Sequence, residues 1–208
     1  KLDDKIAEYC RKNKLKIIQI KGWGADESYT LIAHKTRKVV YLTGKADVKP
    51  CPLNPELWDE MVVKDAIRYI NAAKSWGVKL TGYVLDMEMY GSRYGDVYCN
   101  INCFCEHCFN SFFKSRKLVA PAVGAAERYG YLKNNRLLQD YYKYLEDEMA
   151  RITANVRVKI HRVQPDLILG FMQYNNTWCL RGMARGLSSA SMPVFVKSES
   201  EYDGYGFS

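Results

Sequence analysis

Residues 79–88, Lys-Leu-Thr-Gly-Tyr-Val-Leu-Asp-Met-Glu, form the stretch of sequence that most strongly indicates the fold. The segment Leu80–Leu85 is largely apolar, and two carboxylates follow it abruptly at Asp86 and Glu88. A short apolar run of this kind is typical of a buried strand. The stretch therefore predicts a β-strand over Lys79–Glu88 whose carboxyl end carries two acidic side chains.

Predicted helices and strands alternate on both sides of this strand. Asn54 followed by Pro55 indicates the start of a helix, and the apolar residues after it repeat at helical spacing as far as Gly77. The clearest later helix covers 136–162, where one apolar stripe is continuous. The other predicted elements are helices at 3–14 and about 178–187, and strands at Leu15–Ile20, Val39–Thr43, Asp166–Met172 and Pro193–Lys197.

This alternation predicts the α/β class, because parallel strands need long crossover connections that are usually helical. A doubly wound sheet is disfavoured, since no Gly-rich phosphate-binding turn follows an early strand. We therefore expect a (β/α)8 barrel of the TIM type. The five predicted strands are fewer than the eight of a closed barrel, so the expected domain over residues 1–208 is incomplete at one or both ends and belongs to a longer chain.

The two acids at the end of the predicted strand indicate acid catalysis. Side chains alternate between the faces of a strand, so Asp86 and Glu88 share one face with Val84. Two neighbouring acids in a partly apolar setting rarely ionise together, and a glycosidase needs one protonated acid with a second carboxylate as nucleophile or base. We predict Glu88 as the proton donor and Asp86 as the residue that orients it. The alternative is that both acids cap loops or pair with Arg93.

A cysteine cluster follows this strand and indicates a metal site. Thiolates at Cys-x-Cys-x-x-Cys spacing converge on a tetrahedral ion more readily than they form disulfides with one another, which makes zinc the first candidate. Such a zinc would be structural, because a catalytic zinc keeps one position open. Disulfides in an oxidising compartment are the alternative. The cluster supplies Cys103, Cys105 and Cys108, and the fourth ligand is Cys51, Cys99 or His107.

The order of these motifs is also informative: a strand ending in Glu88, then Tyr90-Gly91, then residues 103–109 as Cys-Phe-Cys-Glu-His-Cys-Phe. Over roughly residues 51–115 the chain resembles family 42 of the glycoside hydrolases, the barrel β-galactosidases. In that family a catalytic Glu ends the fourth strand, and three cysteines at this spacing bind zinc with one from upstream. The resemblance implies Glu88 as acid/base and Cys51 as fourth ligand, although Met87 replaces the family's Asn.

The resemblance further implies a nucleophilic Glu at the end of a later strand. Phe195, Lys197, Glu199 and Glu201 share one face of the last predicted strand and its extension. Either Glu is a candidate nucleophile, and Glu201 is preferred because Tyr202 and nearby glycines resemble a binding loop. The alternative is a nucleophile beyond the last residue of the sequence.

Aromatic side chains offer stacking surfaces for sugar rings. The chain has 16 Tyr and four Trp, whose flat amphipathic rings suit carbohydrate as well as a protein core. Core packing is the alternative use for each of them. Those just past predicted strand ends, and hence candidate substrate-binding residues, are Trp23, Tyr90, Tyr174 and Trp178.

The distribution of charge disfavours nucleic acid as a partner. The net charge is +8, but the 31 basic residues are interleaved with 23 acidic ones, whereas nucleic-acid binding needs a concentrated basic patch. No apolar run approaches the roughly 20 residues of a membrane span. The sequence is compatible with a cytoplasmic protein and with a secreted one whose signal has been removed.

These residues together predict hydrolysis of a glycosidic bond by two carboxylates, with retention at the anomeric carbon and a carbohydrate substrate. Two alternatives remain open at this point. One is a non-catalytic barrel, carbohydrate-binding or structural, with a zinc-clamped loop. The other is a basic zinc-containing protein that binds nucleic acid, which would lose affinity steeply with salt.

Overall fold

The computed structural model describes residues 4–22, 37–86, 102–173 and 177–198, in which helices pack on one face of a parallel sheet. The described helices are α1 (Asp4–Lys12), α2 (Pro55–Trp58), α3 (Lys64–Ser75), α4 (Glu106–Ser115), α5 (Arg128–Asn134), α6 (Leu138–His161) and α7 (Trp178–Leu187). The described strands are β1 (Ile17–Lys21), β2 (Lys38–Val40), β3 (Ala46–Pro50), β4 (Leu80–Leu85), β5 (Ile168–Gln173) and β6 (Phe195–Ser198).

The main sheet has the strand order β1-β4-β5-β6, and each of its neighbouring pairs is parallel. This arrangement confirms the predicted α/β class. Among the described residues, the main sheet supplies four of the eight strands that a closed barrel contains. The complete barrel therefore stays a prediction. None of the helices in the described part of the chain has the length and apolar character needed to span a lipid bilayer.

The predicted strand at Val39–Thr43 was wrong in extent and in place. Its observed counterpart, β2, pairs antiparallel with β3 in a separate two-stranded sheet. The turn between them closes with a hydrogen bond from the Gly44 amide to the Tyr41 carbonyl (2.9 Å), and Gly44 has a φ of 82°. Strand β3 was missed although its sequence, Ala-Asp-Val-Lys-Pro, alternates apolar and polar residues, because the stretch is short and ends at a proline.

The predicted helix between Pro55 and Gly77 is present but interrupted. A π-helical segment, Asp59–Val63, joins α2 to α3. Asn54 precedes the helix as predicted; its carbonyl accepts from the Leu57 amide (3.1 Å), whereas its side chain makes no capping hydrogen bond. The apolar side of this helical stretch packs into the core through buried residues that include Trp58 and Ile70.

The two faces of the main sheet differ in what covers them. On the helix face Tyr83, Leu85 and Phe171 are each about 1% exposed, and the Tyr83 hydroxyl donates to Asp65 of α3 (2.8 Å). We call the opposite side the open face. The positions that alternation assigns to the open face are Ile18, Ile20, Leu80, Gly82, Val84, Ile168, Gly170, Met172, Phe195 and Lys197.

Some apolar side chains on the open face remain partly accessible, whereas Val84 and Met172 on the same face are buried. Ile18 is 54% exposed, Ile168 is 40% exposed and Phe195 is 44% exposed. All-parallel sheets occur almost entirely in proteins that cover both faces of the sheet. The open face is therefore an apolar surface that a neighbouring element would be expected to cover.

Helices α6 and α7 approach each other closely at two glycines. A Cβ atom placed on Gly182 would lie 2.6 Å from the Glu146 carbonyl oxygen and 2.7 Å from the Met149 Cβ. Gly186 is equally confined, because its Cβ would meet the Thr153 hydroxyl. Beside this contact the nearly buried Glu146 accepts hydrogen bonds from Arg181 (2.7 Å) and Arg185 (2.9 Å). Backbone contact and ion pairs thus hold α7 on α6.

We expect Gly182→Ala to lower the free energy of unfolding by about 1–3 kcal/mol, because the added methyl group forces the two helix backbones apart. The matched control is Gly130→Ala in α5, where nothing lies within 4 Å of the added Cβ. The better helix propensity of alanine should raise stability there by up to about 1 kcal/mol. Denaturant titrations of both variants measure the difference, and equal midpoints for both would contradict the proposed steric cause.

Candidate functional site

The carboxyl ends of the four parallel strands lie along one edge of the main sheet, where barrel enzymes build their active sites. Asp86 follows β4 directly at this edge and is half-buried. Its backbone amide donates to the Lys21 carbonyl (2.9 Å), so the chain stays paired with β1 for one residue beyond the strand. Asp86 is thus held by the sheet itself, in agreement with its predicted position at a strand end.

The other predicted catalytic residues lie outside the described residues, and their roles stay predictions. The same holds for most of the predicted sugar-stacking residues and for one cysteine. The predicted site residues outside the described residues are Trp23, Glu88, Tyr90, Cys99, Tyr174, Glu199 and Glu201.

Trp178, the fourth predicted stacking residue, lies at the start of α7 and is only 5% exposed. Its ring packs within the hydrophobic core of the molecule. Thr177 precedes it as the helix N-cap and accepts a hydrogen bond from the Leu180 amide (3.3 Å). This position favours the core-packing alternative for Trp178 over contact with a sugar.

Four cysteines converge at one buried point: Cys51, Cys103, Cys105 and Cys108. Their sulfur atoms all lie within 4.8 Å of one another. The Cys51 Sγ is 3.4 Å from the Cys108 Sγ and 4.0 Å from the Cys105 Sγ. The six cysteines of the described residues are free thiols. The group therefore presents four sulfur atoms that could hold one metal ion.

The chain reaches this arrangement through the hairpin and the start of α4. Cys51 follows β3, and its amide donates to the Arg37 carbonyl beside β2 (2.6 Å). Cys108 lies in the first turn of α4, after the segment that contains Cys103 and Cys105. The Phe104 amide within that segment donates to the Val40 carbonyl of β2 (2.8 Å). Backbone hydrogen bonds to one hairpin therefore position both halves of the cysteine group.

Aromatic residues on the other side complete the support of this segment. The Tyr141 hydroxyl of α6 donates to the Cys103 carbonyl (2.5 Å), and both residues are fully buried. The ring of Phe104 stacks on the Tyr141 ring with centroids 5.5 Å apart. The Arg128 guanidinium at the start of α5 donates to the Phe104 carbonyl (2.9 Å). The cysteine segment is thus held between β2 and the helices.

The thiols are too close together to ionise independently. Hydrogen bonding, in the first place with Cys103, holds the pKa of Cys105 far below its ordinary value and the pKa values of Cys51 and Cys108 well above theirs. Burial is the main cause of the raised pKa of Tyr141, and the charges of the cysteines add to it. All four could be thiolates together only beside a compensating cation. The buried group is therefore a donor set that could hold a metal ion.

A groove of about 510 Å³ runs beside Cys105 and is lined by charged and polar side chains, with Glu106 as its acidic member. Arg37 and Lys38 supply positive charge there, and His107 of α4 lies near them. Partial burial and then the charge of Arg37 lower the pKa of His107. The sequence did not identify Arg37 and Lys38 as neighbours of the cysteines, since no spacing links them to the cluster. Only the hairpin brings them there.

Comparison with known proteins identifies the fold. Neither a known protein-family model nor a curated protein sequence matches this chain. Among solved structures it is similar to the polyextremophilic β-galactosidase from the Antarctic haloarchaeon Halorubrum lacusprofundi, with a TM-score of 0.61 and 14% identity over 97% of this chain and 33% of that protein. It is also similar to a β-galactosidase from Rahnella sp. R3, with a TM-score of 0.51 and 15% identity over 85% of this chain. The chain spans 33% of the length of the first protein and 29% of the length of the second.

We expect Tyr141→Phe to lower the free energy of unfolding by about 1–3 kcal/mol, because it leaves the buried Cys103 carbonyl without its donor. The neighbouring half-buried Tyr142 provides the control, and Tyr142→Phe should change stability by less than about 0.5 kcal/mol. Denaturant unfolding followed by circular dichroism compares the two variants. A loss of equal size in both would show that the Cys103 contact is not the cause.

Proposed function

We propose that this chain forms part of a (β/α)8-barrel glycoside hydrolase that cleaves a glycosidic bond with two carboxylates. The observation that carries the proposal is the position of Asp86 at the carboxyl end of β4, a strand with parallel partners on both sides. Glu88 is two residues further along the chain. The likeness of the fold to two β-galactosidases supports the same assignment.

In this proposal Glu88 is the acid/base and Asp86 orients it. Glu88 protonates the glycosidic oxygen while the bond from that oxygen to the anomeric carbon breaks. The carboxylate of Glu201, or of Glu199, forms a bond with the same carbon and gives a covalent glycosyl intermediate. Glu88 then takes a proton from water, which attacks the anomeric carbon and releases the sugar with its configuration retained.

The apolar open face supports the proposal that the four described parallel strands belong to a closed barrel. Ile18, Ile168 and Phe195 are partly exposed on this face of the sheet. In a closed barrel, the strands on the opposite side of the interior would cover them. We propose that residues 1–208 form one part of such a single domain, and that the remaining strands belong to the same longer chain.

We further propose that the cysteine group binds a structural zinc ion through Cys51, Cys103, Cys105 and Cys108. Four sulfur atoms in a tetrahedron about 2.3 Å from zinc lie about 3.8 Å apart, and the Cys51 Sγ separations of 3.4 and 4.0 Å lie on either side of that value. Zinc with four thiolates carries a net double negative charge. Arg37 and Lys38 beside the group oppose that charge. Zinc supplies a cross-link here, because four protein ligands leave no position for substrate.

The zinc proposal predicts about one metal ion per purified chain, and Cys103→Ser should remove most of it. The matched control is Cys10→Ser, which changes a buried cysteine of α1 outside the group. Elemental analysis measures the metal content. Chelator should lower the melting temperature of the unmodified chain and of Cys10→Ser but leave Cys103→Ser unchanged. Metal-free chain that is insensitive to chelator would refute the zinc site.

The catalytic proposal predicts that Glu88→Gln lowers turnover by roughly 10²–10⁴-fold, because the variant has no proton to donate to the leaving oxygen. The loss should be larger for natural disaccharides than for 4-nitrophenyl glycosides, whose leaving group needs less help from an acid. Glu56→Gln, at an exposed position in the first turn of α2, makes the same chemical change away from the sheet edge and should leave turnover within about twofold.

This experiment also separates the hydrolase from its main rival, a non-catalytic barrel that binds carbohydrate. A panel of 4-nitrophenyl glycosides, including the β-galactoside, is assayed with the unmodified chain. Turnover that disappears in Glu88→Gln supports the hydrolase. Binding of the same sugars without turnover by either form of the protein supports the rival.

A further inference from the structure

Three residues lie side by side where the open face of the sheet meets its carboxyl edge. Met172 of β5 and Lys197 of β6 are in register. Val84 of β4 is in register with Gly170 of β5, so Asp86 and Met172 occupy the next positions on the same face. Asp86, Met172 and Lys197 therefore form one row across three neighbouring parallel strands.

Lys197 is an unusual residue for this face. The other open-face positions within the described strands are apolar, and Lys197 is the only ionisable residue among them. It lies two residues after Phe195, at the end of β6 that faces the same edge as Asp86. Lys197 therefore brings an ammonium group to the carboxyl edge, on the same face of the sheet as Asp86.

The spacing of the row suits a ligand that contacts both charged residues. Neighbouring strands are about 4.8 Å apart, so the Cα atoms of Asp86 and Lys197 are separated by about 10 Å, with Met172 between them. The Lys197 ammonium has three donors on a flexible four-carbon stem, and the Asp86 carboxylate accepts only. A sugar hydroxyl both donates and accepts, and can therefore link the two.

We propose that Lys197 is a substrate-binding residue, whose ammonium donates a hydrogen bond to a sugar hydroxyl that in turn donates to Asp86. The inference rests on the glycosidase function proposed above. It adds a residue on β6 to the site and assigns to that strand the recognition of one hydroxyl of the sugar.

The test compares Lys197→Met, Lys197→Arg and Lys16→Met in the full chain, with 4-nitrophenyl glycosides as substrates. Lys197→Met should lower kcat/KM by about 10- to 100-fold, the usual effect of removing a hydrogen bond from a charged group, and Lys197→Arg should retain part of the activity. Lys16 is an exposed lysine just before β1, at the opposite edge of the sheet. Lys16→Met should stay within about twofold of the unmodified chain.

Monodeoxy versions of the cleaved glycoside identify the contact itself. With the unmodified chain, kcat/KM for the analogue that lacks the contacted hydroxyl should be about 10- to 100-fold lower than for the parent glycoside. With Lys197→Met, the analogue and the parent glycoside should have about the same kcat/KM. If Lys197→Met is as active as the unmodified chain, or if every deoxy analogue loses the same factor in both proteins, the inference is overturned. An unmodified chain that cleaves none of the glycosides instead refutes the proposed function.

Discussion

The hydrogen-bonded pairing of β4 with β1 on one side and β5 on the other is the constraint on which the site depends. It buries Tyr83 and Leu85 against the helices and directs Gly82 and Val84 to the opposite side. Because all three strands run in the same direction, their carboxyl ends share an edge, and Asp86 emerges there with its amide still bonded to β1. The position of the acid therefore follows from the register of the sheet and does not depend on a loop conformation.

The cysteine group connects two parts of the chain that leave this edge. The hairpin of β2 and β3 lies on the connection after β1, and the segment before α4 lies on the connection after β4. Cys51 belongs to the first connection, and Cys103 belongs to the second. The contact between the sulfur atoms of the group holds the two connections together. Under the proposed hydrolase function, the cysteine group would support the catalytic edge without touching substrate.

The local pattern of apolar residues in the sequence predicted the strands and helices that are buried on one side or completely. Most of the features that it did not predict depend on pairing between residues far apart in the chain. The apolar run that ends at Leu85 was identified by its length and by the acidic residues that follow it, and the long stripe of α6 by its helical periodicity. Strand β3 was missed because it is short and ends at a proline, and its pairing with β2 can be read only from the structure. The grouping of Cys51 with the later cysteines came from a family resemblance, since nothing in the spacing selects it. The position of Lys197 in the same row as Asp86 could be read only from the register of the strands.

The separation of the cysteines along the chain also bears on the order of folding. Cys51 and Cys108 are 57 positions apart, so their contact closes a large loop that contains α3 and β4. The entropy lost in closing such a loop must be recovered by contacts that form with it or before it. The helix and strand inside the loop are local elements that shorten its effective length once formed. We therefore expect the cysteine group to form after the local elements inside the loop and not before them.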